Sequence, residues 1–188
     1  MLPLIIFKRT LRFLLITPLL VIAVLLTHVT DYVHVSTFVG KIPFNLGIIL
    51  RRYFYQLTLK NFGKNVTINY GTIISYSDTS IGNNVWLGVN NVFGSIDIKD
   101  NVITAQGCQF ASGKFGHGIE RTDIPIIQQP GFRTRLQIGP DVWFGANCTV
   151  IANVGEGCVI GSGSAVVKDI PDWSIAVGNP ARVIKSRK

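Results

Sequence analysis

Cysteine is scarce and odd in number: Cys108, Cys148 and Cys158 are the only three. That count provides no disulfide framework of the kind that staples small secreted domains. Acidic residues are also few, ten Asp and Glu against eighteen Lys and Arg, leaving a net charge of +8 on 188 residues. Such an excess admits two classes of partner, nucleic acid and an anionic membrane surface. No helix-turn-helix, zinc-finger or aromatic–basic strand pattern is present, so no nucleic-acid partner is expected. Charged residues make up only 15% of the chain and apolar ones 47%. That excess is concentrated near the N-terminus.

What is present is a short, fixed period. From Ile138 to Ala181 the chain reads I-G-P-D-V-W, F-G-A-N-C-T, V-I-A-N, V-G-E-G-C-V, I-G-S-G-S-A, V-V-K-D-I-P. An aliphatic or aromatic residue opens each block, at positions 138, 144, 150, 154, 160 and 166. A period of six with Val, Ile and Gly dominant is poorly compatible with a helix and predicts a parallel β-helix. In that structure each opener points inward and Gly or Asn absorbs the corner. The same frame runs back through Phe62, Ile68, Ile74, Ile81, Leu87, Phe93, Ile98 and Thr104. It slips after Ile74 and after Phe93, and Val150 opens a block of only four residues. Three blocks to a coil predict roughly four triangular coils. The cysteines share the fifth place of their blocks with Val66, Thr72, Val85, Val102, Val142 and Ser164. They therefore read as small packing residues rather than nucleophiles or metal ligands, and no metal is expected.

The N-terminal third is different. Leu11 to Val29 holds nineteen residues whose only charge is Arg12, about 28 Å as a helix and near the thickness of a bilayer core. No small-x-small cleavage pattern follows it, which favours a retained membrane segment over a signal peptide. A helix buried against a partner chain is the alternative. A second apolar run, Val33 to Leu50, ends in Arg51 and Arg52. With Lys8, Arg9 and Arg12 these place both basic clusters on the cytoplasmic side of a membrane, as a hairpin or as helices lying in the headgroup region. The expected organisation is an apolar helical, membrane-associated region over 1–60, a repeat domain over 61–171 and a tail over 172–188. Within the repeat domain the frame vanishes over 111–137. So long and polar an excursion is expected to be functional, and it carries His117, the only histidine of the repeat domain.

These blocks, together with V-W-F-G-A-N, I-G-S-G-S-A-V-V-K-D-I-P and V-G-N-P-A-R-V-I, resemble the hexapeptide-repeat acyltransferases, over about residues 62–185. The similarity leans to the branch that O-acetylates sugars and bacterial surface polysaccharides. The resemblance implies a mainly β fold, a left-handed parallel β-helix, a homotrimer with active sites between subunits, and acetyl-CoA as donor. Handedness comes from the resemblance alone, since parallel crossovers are otherwise nearly always right-handed. Two features depart from the family: the short block at Val150, which predicts a tightened coil edge, and His-Gly at His117–Gly118 where sugar acetyltransferases often have His-Pro.

Acetyl transfer to a hydroxyl needs a base near the alcohol and donors for the developing oxyanion. The resemblance places the family's catalytic histidine at His117. Glu120 and Asp123 are the nearby carboxylates able to orient it, or else solvated loop charges. Backbone amides at Gly145–Ala146 are the candidate oxyanion donors. Trp143 is expected in the cofactor slot or in packing at a trimer seam. By resemblance the pantetheine arm runs past Gly145, Ala146, Ser162, Gly163 and Ser164, and its phosphates meet Lys168 and Arg182. Asn84, Asn90 and Asn91 either orient an acceptor or form turns. The expected activity is transfer of acetyl from acetyl-CoA to a sugar hydroxyl of a surface polysaccharide or lipid-linked glycan precursor, at the cytoplasmic face of a bacterial inner membrane. The alternatives are a small soluble acceptor (serine, a free sugar or an antibiotic) and a non-catalytic scaffold.

Overall fold

The structure is a computed structural model that describes residues 16–114 and 116–188. Leu11–Leu15, the first part of the expected membrane segment, lie outside the described residues. Among the described residues three helices come first: α1, helical over 16–26, α2 (Tyr32–Gly40) and α3 (Phe44–Thr58). The rest is a three-sided parallel β-solenoid. Its first face stacks β1 (Asn61–Phe62), β4 (Ser80–Ile81), β7 (Ile96–Ile98) and β10 (Leu136–Ile138), and single bridges extend it to Val154 and Ile170. The second face stacks β2 (Thr67–Ile68), β5 (Trp86–Leu87), β8 (Ile103–Thr104), β11 (Trp143–Phe144), β13 (Val159–Ile160) and β15 (Ser174–Val177). The third holds β3 (Ile73–Ile74), β6 (Val92–Phe93), β9 (Gln109–Phe110), β12 (Thr149–Val150) and β14 (Ala165–Val166). There are therefore about six coils rather than four. The count from sequence omitted the strand at Phe110 and the coil after Pro171, where β15 continues the second face.

The block openers form the interior. Ile68, Leu87, Thr104, Phe144 and Ile160 are all fully buried along the second face. Phe93 stacks on Phe110 at 4.6 Å between ring centroids, and Phe110 meets Phe144 edge-on at 5.0 Å. The fifth-place residues are also buried, the three cysteines completely, so that position is filled by small side chains because it is the inside of a corner.

Two of the three corners are uniform. Between the first and second faces each coil turns on one left-handed residue: Asn65, Asn84, Asn101, Asp141, Gly157 and Trp173, with φ between +54° and +65°. Between the second and third faces the residues are Gly71, Asn90, Gly107, Asn147, Gly163 and Gly178. Asn and Gly tolerate this conformation best. Asn84 and Asn90 are thus turn formers, and Asn65, Asn84 and Asn101 also form a side-chain ladder at 3.1 Å per step. The third corner is irregular, with seven residues from Ile74 to Ile81, five from Phe93 to Ile98, and four from both Val150 to Val154 and Val166 to Ile170. Every slip of the sequence frame falls there, and the tight edge expected at Val150 recurs one coil later.

The helices close the open edge of the first coil. The Ile74 N–H donates to Ser36 Oγ at 3.0 Å, Ser36 Oγ lies 2.8 Å from Tyr55 Oη, and the Gly71 N–H donates to the Gly40 carbonyl. Arg51 is fully buried, not a surface cation beside Arg52. Its Nε donates to the Ile68 carbonyl at 2.9 Å, and its Nη1 donates to the carbonyls of Gly40 at 3.1 Å and Ile42 at 2.8 Å. Burial lowers the guanidinium pKa from its usual value, yet these carbonyl dipoles hold the charge in place of a counterion. At the far end β16 (Arg182–Ser186) turns back antiparallel to β15.

Among the described residues no helix is long and apolar enough to cross a membrane. α1 buries Ile16 and Ala23 and exposes Val21, Ile22, Leu25 and Leu26, with Val29 just beyond it.

Arg51→Met removes the donor shared by carbonyls at the junction of α2, α3 and β2. The chain is expected to lose on the order of 3 kcal/mol of unfolding free energy, read from denaturant melts. A loss below about 1 kcal/mol would show that the buried charge is incidental to the cap.

Candidate active site

The largest departure from the ladder is the segment between β9 and β10, inserted at the third corner. Its base is closed: the Thr134 N–H and Oγ1 both donate to the Ser112 carbonyl, at 2.9 and 3.2 Å. Its return limb is tied down by charge. Arg133 and Arg135 both pair with Asp78, Arg135 also reaches Asp97 at 3.0 Å, and Arg133 lies over the Tyr76 ring at 4.1 Å. Partial burial alone raises the Asp97 pKa, but hydrogen bonds from Gln137 and Arg135 outweigh it and hold the carboxyl below its ordinary value. Side chains here are a quarter to two-fifths exposed, so these pairs contribute modestly to stability.

Within the loop, Gln129 is the one buried polar side chain among the described residues. Its Oε1 accepts from the Arg121 N–H at 3.1 Å, and its Nε2 donates to the carbonyls of Arg121 and Ile124 at 2.7 and 3.3 Å. Nothing in the repeat pattern singles this residue out, because it lies where the pattern stops. The two limbs touch at Gly131: a Cβ there would sit 2.2 Å from the Gly116 carbonyl oxygen and 2.6 Å from the His117 nitrogen.

His117 and Glu120 are exposed on this loop. Asp123 is engaged by Arg121 in a two-point ion pair, whose hydrogen bonds hold its carboxyl below the ordinary range. In the isolated chain neither carboxylate is drawn to His117 by a described hydrogen bond. Asn91 is fully buried, donating to Thr104 Oγ1 and accepting from the Cys108 N–H, so it belongs to the interior of a corner.

Trp143 points outward from the second face. It belongs to a register row in which Trp86, Ile103 and Trp143 follow one another on adjacent strands, each about half exposed, at 52%, 49% and 54%. Gly145 stacks on Ser162, where a Cβ would lie 2.6 Å from the Ser162 nitrogen. The Gly145 N–H donates to the Ile160 carbonyl at 2.8 Å and the Ala146 N–H to Ser162 Oγ at 3.1 Å. Both amides, the expected oxyanion donors, are therefore committed to the next coil instead. Ser164 is buried, its Oγ accepting from the Gly178 N–H, while Ser162 and Gly163 are exposed at their corner. Lys168 is exposed on the third corner just after β14, and Arg182 opens β16, next to Ala181, whose N–H donates to the Ala165 carbonyl of β14. The structure thus gathers Ser162–Ser164, Lys168 and Arg182 around the last coils, with His117 on the loop that precedes β10.

No family model matches the chain. A maltose O-acetyltransferase from Clostridium difficile superposes with a TM-score of 0.75 at 25% identity, covering 87% of this chain and 89% of that one. The chain has the fold of the hexapeptide-repeat acetyltransferases. A galactoside acetyltransferase in complex with coenzyme A shares this hexapeptide-repeat fold at a TM-score of 0.70 and 22% identity, over 81% of this chain and 78% of that one. In sequence, the chain is 39% identical over 112 residues to a probable acetyltransferase of Mycobacterium tuberculosis. That match takes in 57% of this chain and spans 37% of the relative's length. Among the described residues no group of three or more His, Cys, Asp and Glu side chains is placed to hold a metal.

Proposed function

We propose that this chain transfers acetyl from acetyl-CoA to a sugar hydroxyl, with His117 as the general base. The observation that carries the reading is a lone histidine on a stapled loop, in a solenoid that superposes along nearly its whole length on a maltose O-acetyltransferase. An acceptor hydroxyl is almost wholly protonated at neutral pH, and an imidazole is the side chain suited to remove that proton. The hydroxyl oxygen then bonds to the thioester carbonyl carbon, the carbon–sulfur bond breaks, and the proton passes from the imidazolium to the leaving thiolate. The products are an acetyl ester and coenzyme A. Lys168 and Arg182 suit the phosphates of the donor: both are exposed at the last coils, and neither forms an ion pair among the described residues. The open corner at Gly163, where a Cβ would meet nothing within 4 Å, leaves room for the pantetheine arm.

The site is completed in this reading by a second copy, in a homotrimer. The row of Trp86, Ile103 and Trp143 leaves an apolar stripe on an otherwise paired face, and such stripes mark association surfaces. Placing Lys at the centre of the stripe, Ile103→Lys, is expected to convert a trimer into monomers by light scattering. An unchanged mass would move the seam elsewhere.

The acceptor is read as a lipid-linked glycan or polysaccharide precursor, met at the cytoplasmic face of a bacterial inner membrane. The support is α1, which exposes Val21, Ile22, Leu25 and Leu26, and the charge of the region over 16–64, where Asp31 is the only acid beside exposed Lys41, Arg52, Lys60 and Lys64. Aliphatic burial plus attraction to anionic lipid is the physics of a helix lying in the interface. Leu25 and Val29 are 61% and 78% exposed, so the double change Leu25→Lys, Val29→Lys leaves the fold intact. It is expected to abolish cosedimentation with phosphatidylglycerol vesicles; retention of binding would remove α1 as the contact.

The test of the activity itself is His117→Ala. Turnover of acetyl-CoA with lipid-linked glycan acceptors is expected to fall ~100-fold or more, with coenzyme A affinity unchanged by calorimetry. Near-parent turnover, or transfer only to serine, amines or antibiotics, would overturn the base or the acceptor respectively.

A further inference from the structure

We infer that Gln129 is a positioning residue for His117, acting through the loop backbone; this rests on His117 being the base. Among the described residues of this loop most are exposed and no apolar side chain is buried. Its backbone must be fixed by something else if an imidazole on it is to stand at one place. Gln129 is 5% exposed and spends both ends of its amide on the loop's main chain. The carbonyl end takes the Arg121 N–H, and the amide end meets the Arg121 and Ile124 carbonyls. The assignment is self-consistent, since an amide turned the other way would set its oxygen against two carbonyl oxygens.

That staple folds residues 121–124 back on Gln129, and the next contacts transmit it to His117. A Cβ at Gly118 would stand 2.8 Å from the Pro130 carbonyl oxygen and 3.1 Å from the Gln129 Cβ. Gly131, two residues past Gln129, lies directly against the Gly116 carbonyl and the His117 nitrogen. The histidine main chain is thus held against the strand of chain that Gln129 anchors. Gln129 does not touch the reacting atoms in this reading; it sets where the imidazole is carried. A misplacement of about 1 Å in a catalytic group is enough to cost ~100-fold in rate.

The test uses the full-length protein carrying Gln129→Glu, which keeps the size but sets a carboxylate against two carbonyls, and Gln129→Met, which removes all three bonds. Both are expected to lower kcat ~30–100-fold while KM for acetyl-CoA and the melting temperature stay near parent. Tryptic cleavage after Arg121, mapped by mass spectrometry, is expected to rise about tenfold as the loop is released. A role confined to stability would lower the melting temperature and leave kcat per folded site unchanged. Gly131→Ala, which disturbs the His117 contact while leaving the staple chemically intact, is expected to lower kcat likewise, and it carries the test if the Gln129 variants fail to fold. Parent-like kcat in these variants, beside a dead His117→Ala, overturns the positioning role and leaves the acetyltransferase reading standing. An active His117→Ala overturns the base itself.

Discussion

Every coil of this molecule must turn its first two corners in the same way as the coils above and below it. Stacked strands stand about 4.8 Å apart, so a backbone that strays at one corner loses its hydrogen bonds to both neighbours at once. The left-handed residue at each of these corners, from Asn65 to Trp173 on one row and from Gly71 to Gly178 on the other, meets that demand. The buried small residue beside it meets the other, because the inside of a corner has no room for more. A solenoid has only nearest-neighbour contacts to rely on. Uniform corners are therefore the condition for having a core at all.

A stack of parallel strands also has two ends, each with unpaired N–H and C=O groups that invite aggregation. Here the far end is covered by β16 and the near end by the helical hairpin. The near end holds its least expected feature, a fully buried arginine surrounded by main-chain carbonyls. Charge counting placed Arg51 with Arg52 at a membrane surface, since nothing in the local sequence separates two adjacent arginines. Its burial depends on carbonyls from residues 40, 42 and 68 converging, which only the packed chain reveals. The same packing makes α2 and α3 part of the solenoid's end wall, not a detachable anchor.

The periodic parts of the chain were legible and the aperiodic parts were not. Openers and fifth-place residues repeat, so their burial follows from spacing. Asn84 and Asn90 could be read as turn formers, but Asn91 looks the same in sequence and points inward, because it lies one step past the left-handed residue. The Gly145 and Ala146 amides seemed free because a corner in isolation offers its N–H groups. In a stack the adjacent coil takes them. Gln129 carried no periodic signal, and its role emerges only when the backbone of residues 121–124 returns to it.

The third corner differs in kind from the other two, and the loop lies there for that reason. It uses no left-handed residue in any of the four ordinary coils, and its length varies from four residues to seven. Strands on either side recover their register regardless, as Phe110 opposite Val150 and Ile98 opposite Ile138 show across the loop itself. Lengthening a connection costs closure entropy only slowly, so an excursion at this corner leaves the ladder untouched. Among its described residues no buried apolar side chain orders it. The Ser112–Thr134 closure, the arginines on Asp78 and the amide of Gln129 supply that order from polar groups instead, along the limb that lies against the backbone of His117.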